Sequence, residues 1–313
     1  MAETVSMFAE DVKQGLSSFQ KQIPGKWYYD KRGSELFKKI TDLPDYYLTR
    51  CETEILQAHA EYIPGMMQGK FRLVDLGVGD GRKTTILLEH FVRAGVDFEF
   101  VAVDICREAV EPFIEKVKRQ FPSVESYGIA DEYISALRQL TLQKSLPTLL
   151  LFLGSNIGNF DEGGDEYLLE QFHKVLSPND VVLIGFDLVK DPAVLLAAYS
   201  DTVVAEFNLN VLDRINRELR ANIDRRKFRH EARWNNELFR MENWLVSRVP
   251  QDVYIPAIDR RFYFEMGEGI HVECSIKYTE QQIARLASKT GFTNENMMYD
   301  RDHYFCDASF RRH

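Results

Sequence analysis

The stretch from Phe71 to Lys83, FRLVDLGVGDGRK, limits what this chain can fold into more than any other. Leu73 to Leu76 is mostly apolar and reads as a buried strand. The chain then turns through Gly77, Gly79 and Gly81, and Thr84-Thr85-Ile86-Leu87-Leu88 opens a helix. A strand that ends in a glycine-rich turn and starts a helix is a common layout for a nucleotide site. Glycine lets backbone approach a ligand with no Cβ in the way, and the helix start offers unpaired N–H groups.

A dinucleotide fingerprint is G-x-G-x-x-G, with a pyrophosphate over the helix start. Here the third glycine comes one residue early, in Asp75-Leu76-Gly77-Val78-Gly79-Asp80-Gly81. That form resembles the first motif of class I methyltransferases. Their ligand, S-adenosylmethionine, has a sulfonium, an amine, a carboxylate and a ribose but no phosphate. Taken alone, the loop reads equally well as a surface turn. Two further acids follow in order. Asp104 ends the apolar run FEFVAV and stands where an acid can accept both ribose hydroxyls. Asp131 stands at the end of a third strand, where methyltransferases read the adenine amino group.

The chain has 313 residues, 45% of them hydrophobic, enough for one large domain or two. Net charge is -9 and there is no basic stripe, so nucleic acid is not an expected partner. Cys51, Cys106, Cys274 and Cys306 are scattered without metal-ligand spacing, and no metal is expected. No apolar run has the roughly 18 residues of a membrane span. The N-terminus carries acids and lacks an apolar signal core. The expectation is a soluble, cytoplasmic monomer with no membrane partner.

From 71 to 187 strands and helices alternate. The strands are expected near 71–76, 98–103, 124–129, 148–153 and 180–187, with helices near 82–94, 106–120, 131–141 and 164–176. This is the rhythm of a doubly wound parallel sheet, an α/β Rossmann-like fold. The fourth strand leads into Gly154-Ser155-Asn156-Ile157-Gly158-Asn159-Phe160, at the edge where open α/β sheets bind ligands.

Outside that core, Trp27, Tyr28, Tyr29, Tyr46 and Tyr47 crowd an N-terminal segment in which Arg32-Gly33 reads as a turn and 34–40 as a short helix. Most of these rings pack the segment, and some are candidates to line a pocket. After Asp187 the rhythm stops. A helix starts at Asp191-Pro192. AEFNLNVLDRINRELR, 205–220, is an amphipathic helix with Phe207, Val211, Leu212, Ile215 and Leu219 as core. Residues 227–240 are rich in charge, and 241–248 and 261–265 read as antiparallel strands. Residues 188–270 therefore read as an inserted lid or second domain. The last strands are expected at 269–278 and 304–310, around a helix with Thr279 as N-cap, Gln282 as capping-box partner and Gly291 as stop. Simple alternation puts His271, Glu273 and Ser275 on one face. The domain expectation is 1–51 and 188–270 for substrate, and 52–187 with 271–313 for the cofactor.

At this point the chain resembles the histidine-specific, S-adenosylmethionine-dependent Nα-methyltransferases that form hercynine, the first step toward ergothioneine. The resemblance is carried by KWYYDKRGSELFKKITDLPDYYLTR, GVGDGRKT, FLGSNIGNF, DLVKD with AAYSD, AEFNLNVLDRINREL and GEGIHVECSIKY, in order across nearly the whole chain. It implies cofactor contacts at Gly77, Gly79, Lys83, Asp104, Asp131 and Glu132. It implies Asn159 and Tyr199 as the pair for the substrate carboxylate, Tyr29, Phe37 and Tyr46 as an aromatic wall, and Glu273 and Ser275 as readers of the imidazole. Asn243 is a departure, since many members carry methionine there beside the substrate ring.

The implied reaction is in-line methyl transfer from a sulfonium to the α-amino nitrogen of L-histidine, repeated to a trimethylammonium. No residue stands out as a general base, and Tyr29 is a candidate proton relay. Asn243 leaves open another aromatic amino acid as substrate: tryptophan, tyrosine or a modified histidine. Readings of another class are a nicotinamide oxidoreductase, against which the early third glycine argues, and a silent ligand-binding module.

Overall fold

The computed structural model describes residues 2–142, 146–160 and 163–312. They form two compact units: residues up to Tyr46 with Lys190–Ile276, and Tyr47–Val189 with the residues from Lys277 onward. The first unit opens with α1 (Ala2–Ser17) and α2 (Lys31–Ile40). The second unit runs through α3 (Tyr47–His59), β1 (Phe71–Leu76), α4 (Arg82–Arg93), β2 (Phe98–Asp104), α5 (Arg107–Gln120) and β3 (Ser126–Ala130). It continues with α6 (Tyr133–Thr141), β4 (Thr148–Phe152), α7 (Gly164–Val175) and β5 (Val181–Asp187). Back in the first unit come α8 (Pro192–Tyr199), α9 (Thr202–Leu219), β6 (Phe228–Asn235), β7 (Arg240–Ser247), β8 (Gln251–Ile255), β9 (Arg260–Phe264) and β10 (Gly269–Ile276). The second unit ends with α10 (Glu280–Lys289), β11 (Phe292–Tyr299) and β12 (Phe305–Arg312).

The second unit is built on a seven-stranded sheet in the order β11-β12-β5-β4-β1-β2-β3. The first five strands in sequence are parallel. β12 lies antiparallel to β5 and β11 antiparallel to β12. From β1 the chain steps outward to β2 and β3, then crosses back to β4 and β5. Right-handed crossovers then place α4 and α5 on one face and α6 and α7 on the other. The reversal between β1 and β4 is the switch point at which such sheets bind ligands. β1 is buried along its whole length, as its apolar run requires.

The chain enters this unit at Tyr47, leaves after Val189 and re-enters at Lys277. Those points are tied together inside the unit. Lys277 Nζ lies 2.8 Å from Asp187 Oδ2, both side chains wholly buried. The Tyr47 hydroxyl lies 2.9 and 2.8 Å from the two Asp187 oxygens. A buried ion pair is tolerated when it is so satisfied, and removing one partner strands the other charge.

The first unit has a three-stranded antiparallel sheet, β10-β7-β6, and a two-stranded one, β8-β9. One apolar core joins Phe8 and Val12 of α1, Trp27 and Tyr28, the inner face of α9, and Leu245, Val253, Phe264 and Ile270 of the strands. The α9 side chains expected as core, from Phe207 to Leu219, are buried.

Several elements differ from the sequence expectation. The strand expected at 269–278 pairs with β7 in the small sheet and does not complete the large one. It is replaced there by β11, which sequence reading passed over because NENMM lacks the apolar alternation of a strand. The charged segment 227–240 holds β6; its arginines and glutamates pair along the strand, Arg229 and Arg233 both with Glu231. The strand at 261–265 pairs with β8, which went unread, and not with β7. Gly33 lies in the first turn of α2 and marks no turn of its own: a Cβ there would sit 1.7 Å from the Tyr28 carbonyl oxygen. Asp30 caps that turn, accepting from Gly33 N at 2.7 Å. The Thr279–Gln282 capping box is formed as expected. Among the described residues no helix is long and apolar enough to cross a membrane.

Candidate active site

In the second unit the turn after β1 is shaped by backbone. Gly77, Gly79 and Gly81 have φ of 80°, 55° and 68°, the left-handed region that side chains disfavour. A Cβ on Gly81 would lie 2.0 Å from the Phe113 ring, and one on Gly77 would lie 2.9 Å from Tyr133 Oη. A Cβ on Gly79 would point into open space, with nothing nearer than 3.9 Å. The Gly79 N–H donates to Asp104 Oδ2 at 3.2 Å, and Cys106 N–H donates to Asp104 Oδ1 at 3.0 Å. Burial pushes the Asp104 carboxyl up, against the pull of those N–H donors. Beneath the loop, Asp75 accepts from the Thr84 hydroxyl, and burial pushes its carboxyl up to about 6. Only Gly79 of the three faces open space, beside the Asp104 acceptor at the tip of β2.

Lys83, Asp131 and Glu132 share this unit. Lys83 Nζ lies 2.5 Å from Glu52 Oε2. Glu52, wholly buried on α3, also accepts from Gly154 N at 2.7 Å. Gly185 on β5 leaves room for it, since a Cβ there would come within 2.2 Å of Glu52 Oε1. Burial, and then the charge of Glu52, push the carboxyl of Asp307 on β12 well above the usual range. Asp131 holds the start of α6: it accepts from Glu132 N at 2.8 Å, Ser135 Oγ at 2.6 Å and Gln139 Nε2 at 2.7 Å. Glu132 is exposed at the α6 N-cap position.

After β4, Gly154 and Ser155 both take positive φ, and Asn156–Asn159 forms a single 3-10 turn. Asp187 N–H donates to Ser155 Oγ at 3.0 Å, tying the turn to the end of β5. Asn156 donates to the Leu153 carbonyl at 2.9 Å, while Asn159 is exposed at the end of the turn.

The first unit gathers the other expected residues. A cleft is lined by Phe37, Ile40 and Tyr46 from the N-terminal segment, by Tyr199, Val204 and Phe207 from α8 and α9, and by Glu273 from β10. Tyr29 packs edge-on against Phe37 and Phe207, with ring centroids 5.5 Å apart in each case. Tyr199 Oη donates to Ser275 Oγ at 2.9 Å, and both side chains are buried. Aromatic faces and one carboxylate therefore meet at this cleft.

Strand register places the polar groups. Glu273 lies opposite Asn243, and Ser275 opposite Met241. The register shifts between His271 and Glu273. That bulge turns His271 away from the face of Glu273 and Ser275, correcting the simple alternation; its ring packs on Trp244, with centroids 4.9 Å apart. The Tyr28 hydroxyl donates to the carbonyl of the bulged Val272 at 2.5 Å. Burial, and then the charge of Glu273, push the Tyr28 phenol well above its ordinary value, so it stays a donor. Asn243, only 1% exposed, donates through Nδ2 to Glu273 Oε2 at 2.7 Å. Its Oδ1 lies 2.8 Å from His230 Nε2 on β6.

Sequence reading passed over Glu52, Asp307, Tyr28 and His230. A glutamate in an amphipathic helix reads as solvated, and His230 sits in a charged segment that gave no strand signal. Tyr28 was visible only as one of five clustered rings.

Comparison with known proteins gives the family of the chain. Residues 8–312 match the family described as histidine-specific methyltransferase, SAM-dependent. A histidine N-alpha-methyltransferase of Mycobacterium tuberculosis is 38% identical over 89% of this chain and 87% of its own. Another of that name, from Mycolicibacterium smegmatis, is 34% identical over 93% of this chain and 90% of its own. Among solved structures a mitomycin 7-O-methyltransferase superposes with a TM-score of 0.51 at 12% identity, covering 99% of this chain and 68% of that one, which supports the fold alone.

Proposed function

The chain belongs to the histidine-specific, S-adenosylmethionine-dependent methyltransferase family, and we propose that it methylates the α-amino nitrogen of L-histidine to give Nα,Nα,Nα-trimethylhistidine. The structural observation that carries this reading is Glu273, a carboxylate facing an aromatic-lined cleft. It offers an acceptor that an imidazole N–H can use and an apolar ring cannot. The names of the two mycobacterial relatives support the same substrate.

S-adenosylmethionine, when bound, supplies an electrophilic methyl group. The chain's own residues bind and orient. On the family resemblance we assign Gly77, Gly79, Lys83, Asp104, Asp131 and Glu132 to the cofactor, and Asn159 and Tyr199 to the substrate carboxylate. Glu52 holds the Lys83 ammonium. Glu273 and Ser275 read the ring, and Tyr29, Phe37 and Tyr46 wall the cleft, with Tyr29 as a proton relay. Aromatic faces there favour a trimethylammonium by cation–π attraction. Holding a neutral amine in line with the methyl group is the main work, since orientation alone is worth up to about 7–11 kcal/mol. The second unit thus serves the cofactor and the first the amino acid. We assign the activity to a cytoplasmic monomer; sedimentation of the purified protein checks the oligomeric state.

Incubation with methyl-labelled S-adenosylmethionine and L-histidine, followed by fragment mass spectrometry, tests the reading. Three labelled methyl groups on the α-nitrogen support it. Label on a ring nitrogen, or none, contradicts it.

A further inference from the structure

The hydrogen-bond line through Asn243 has a direction. An amide NH2 only donates and an amide oxygen only accepts. Glu273, as a carboxylate, only accepts. The amide nitrogen of Asn243 therefore faces Glu273, and its oxygen faces His230. For the 2.8 Å contact to be a hydrogen bond, His230 must carry a proton on Nε2. Burial lowers the His230 imidazole below its ordinary value, outweighing the Asn243 hydrogen bond, so the ring is a neutral Nε2–H tautomer at neutral pH. The register makes the line possible: Asn243 lies between Glu273 and Ala232, and His230 is two residues before Ala232, on the same face of β6.

We propose that His230 is a specificity-determining positioning residue for the substrate ring, acting through Asn243 to fix the orientation of the Glu273 carboxylate. The proposal rests on histidine as the substrate. Asn243 cannot turn without setting its oxygen against the carboxylate and its NH2 against an N–H. With Oε2 held by the amide, the Glu273 carboxylate is biased toward one orientation for a ring N–H. Without His230, the buried Asn243 oxygen loses its donor and the amide is held at one end only. The amide then holds the carboxylate less firmly, and selectivity for a ring that donates an N–H falls.

The test compares binding of L-histidine with binding of thienylalanine, an amino acid of similar shape whose ring has no N–H, by calorimetry on the purified full chain. In wild type histidine is expected to bind more tightly than thienylalanine. His230→Phe is expected to weaken histidine about tenfold, with thienylalanine and S-adenosylhomocysteine unchanged within about twofold. His230→Gln, whose side-chain amide can again donate near the Nε2 position, is expected to restore histidine to within about threefold of wild type. In an Asn243→Leu background, His230→Phe is expected to add less than twofold.

Equal loss for both ligands, or unchanged histidine binding, would overturn the proposal and leave the activity standing. Failure of wild type to bind histidine would overturn the activity and the proposal together. If His230→Phe does not fold, ¹⁵N imidazole shifts of the labelled wild type decide: a neutral Nε2–H His230 supports the line, and an Nδ1–H or cationic ring refutes it.

Discussion

The two units make their sites by different means. In the seven-stranded unit the shape comes from backbone. Three glycines at positive φ shape the loop at the switch point, and Asp104 is fixed by N–H groups of the loops around it. In the smaller unit the cleft is a matter of side chains. Glu273, Asn243 and His230 are joined in line, Tyr199 is joined to Ser275, and aromatic rings form the walls. The fold itself tolerates wide drift in sequence, since a 12%-identical protein shares it. A side-chain-built site is where one substitution changes the ligand.

The steepest break of that contrast is expected at Gly81. In Gly81→Ala a methyl group meets the Phe113 ring at 2.0 Å, on backbone at φ 68°. Left-handed strain and overpacking together should cost about 2–5 kcal/mol in denaturant unfolding. A loss under 1 kcal/mol would mean that the loop is not held by its backbone.

Next comes Asp75, which should make the stability of the same unit depend on pH. Burial pushes its folded carboxyl from 3.8 to about 6, so the folded chain binds this proton more tightly than the unfolded chain. The group's contribution is fully present below its unfolded value, falls as pH rises through the folded value, and is level above it. The full drop is roughly 3 kcal/mol. Asp75→Asn should remove that slope when stability is followed from acid to neutral pH. Parallel profiles for the two proteins would refute it.

The smaller unit should respond through its ligand. Glu273→Ala is expected to weaken L-histidine binding roughly 100-fold, because an imidazole N–H loses its acceptor. S-adenosylhomocysteine binding should not change. A loss shared equally by both ligands would erase the contrast.

The smallest effect is expected at Asp30. It caps α2 and also accepts from Asn210 at 2.9 Å and Arg217 at 2.6 Å. Burial alone would raise this carboxyl, but the hydrogen bonds from Gly33, Asn210 and Arg217 outweigh it and hold it low. Asp30→Ala should cost about 1 kcal/mol of stability. In wild type that contribution should be present near neutral pH and lost as acid protonates the group.

The same contrast explains what could be read from the chain alone. Period, glycine spacing and strand-tip acids are local signals, and they located the sheet, its loops and Asp104. The α9 core and the Thr279 capping box were legible for the same reason. The small sheet was legible only in part, β7 and β10 as strands but not β6 or the pairing. Its β6 is charged along its length, and its β10 carries a bulge that alternation cannot foresee, so the facing of His271 came out wrong. Its site depends on register between strands distant in sequence, as with Glu273 and Asn243, thirty residues apart. Alternation put Glu273 and Ser275 on one face, but only family resemblance pointed to Asn243, and it gave no hint of His230. Glu52 was hidden because burial of a helical glutamate is decided by a glycine on another strand, Gly185.

The measurement that bears most directly on the substrate is a competition. The purified protein would be given S-adenosylmethionine and an equimolar mixture of the standard amino acids, and the products resolved by mass. L-Histidine alone should gain methyl groups, up to three. Methylation of tryptophan or tyrosine in its place would contradict the reading of the Glu273 cleft.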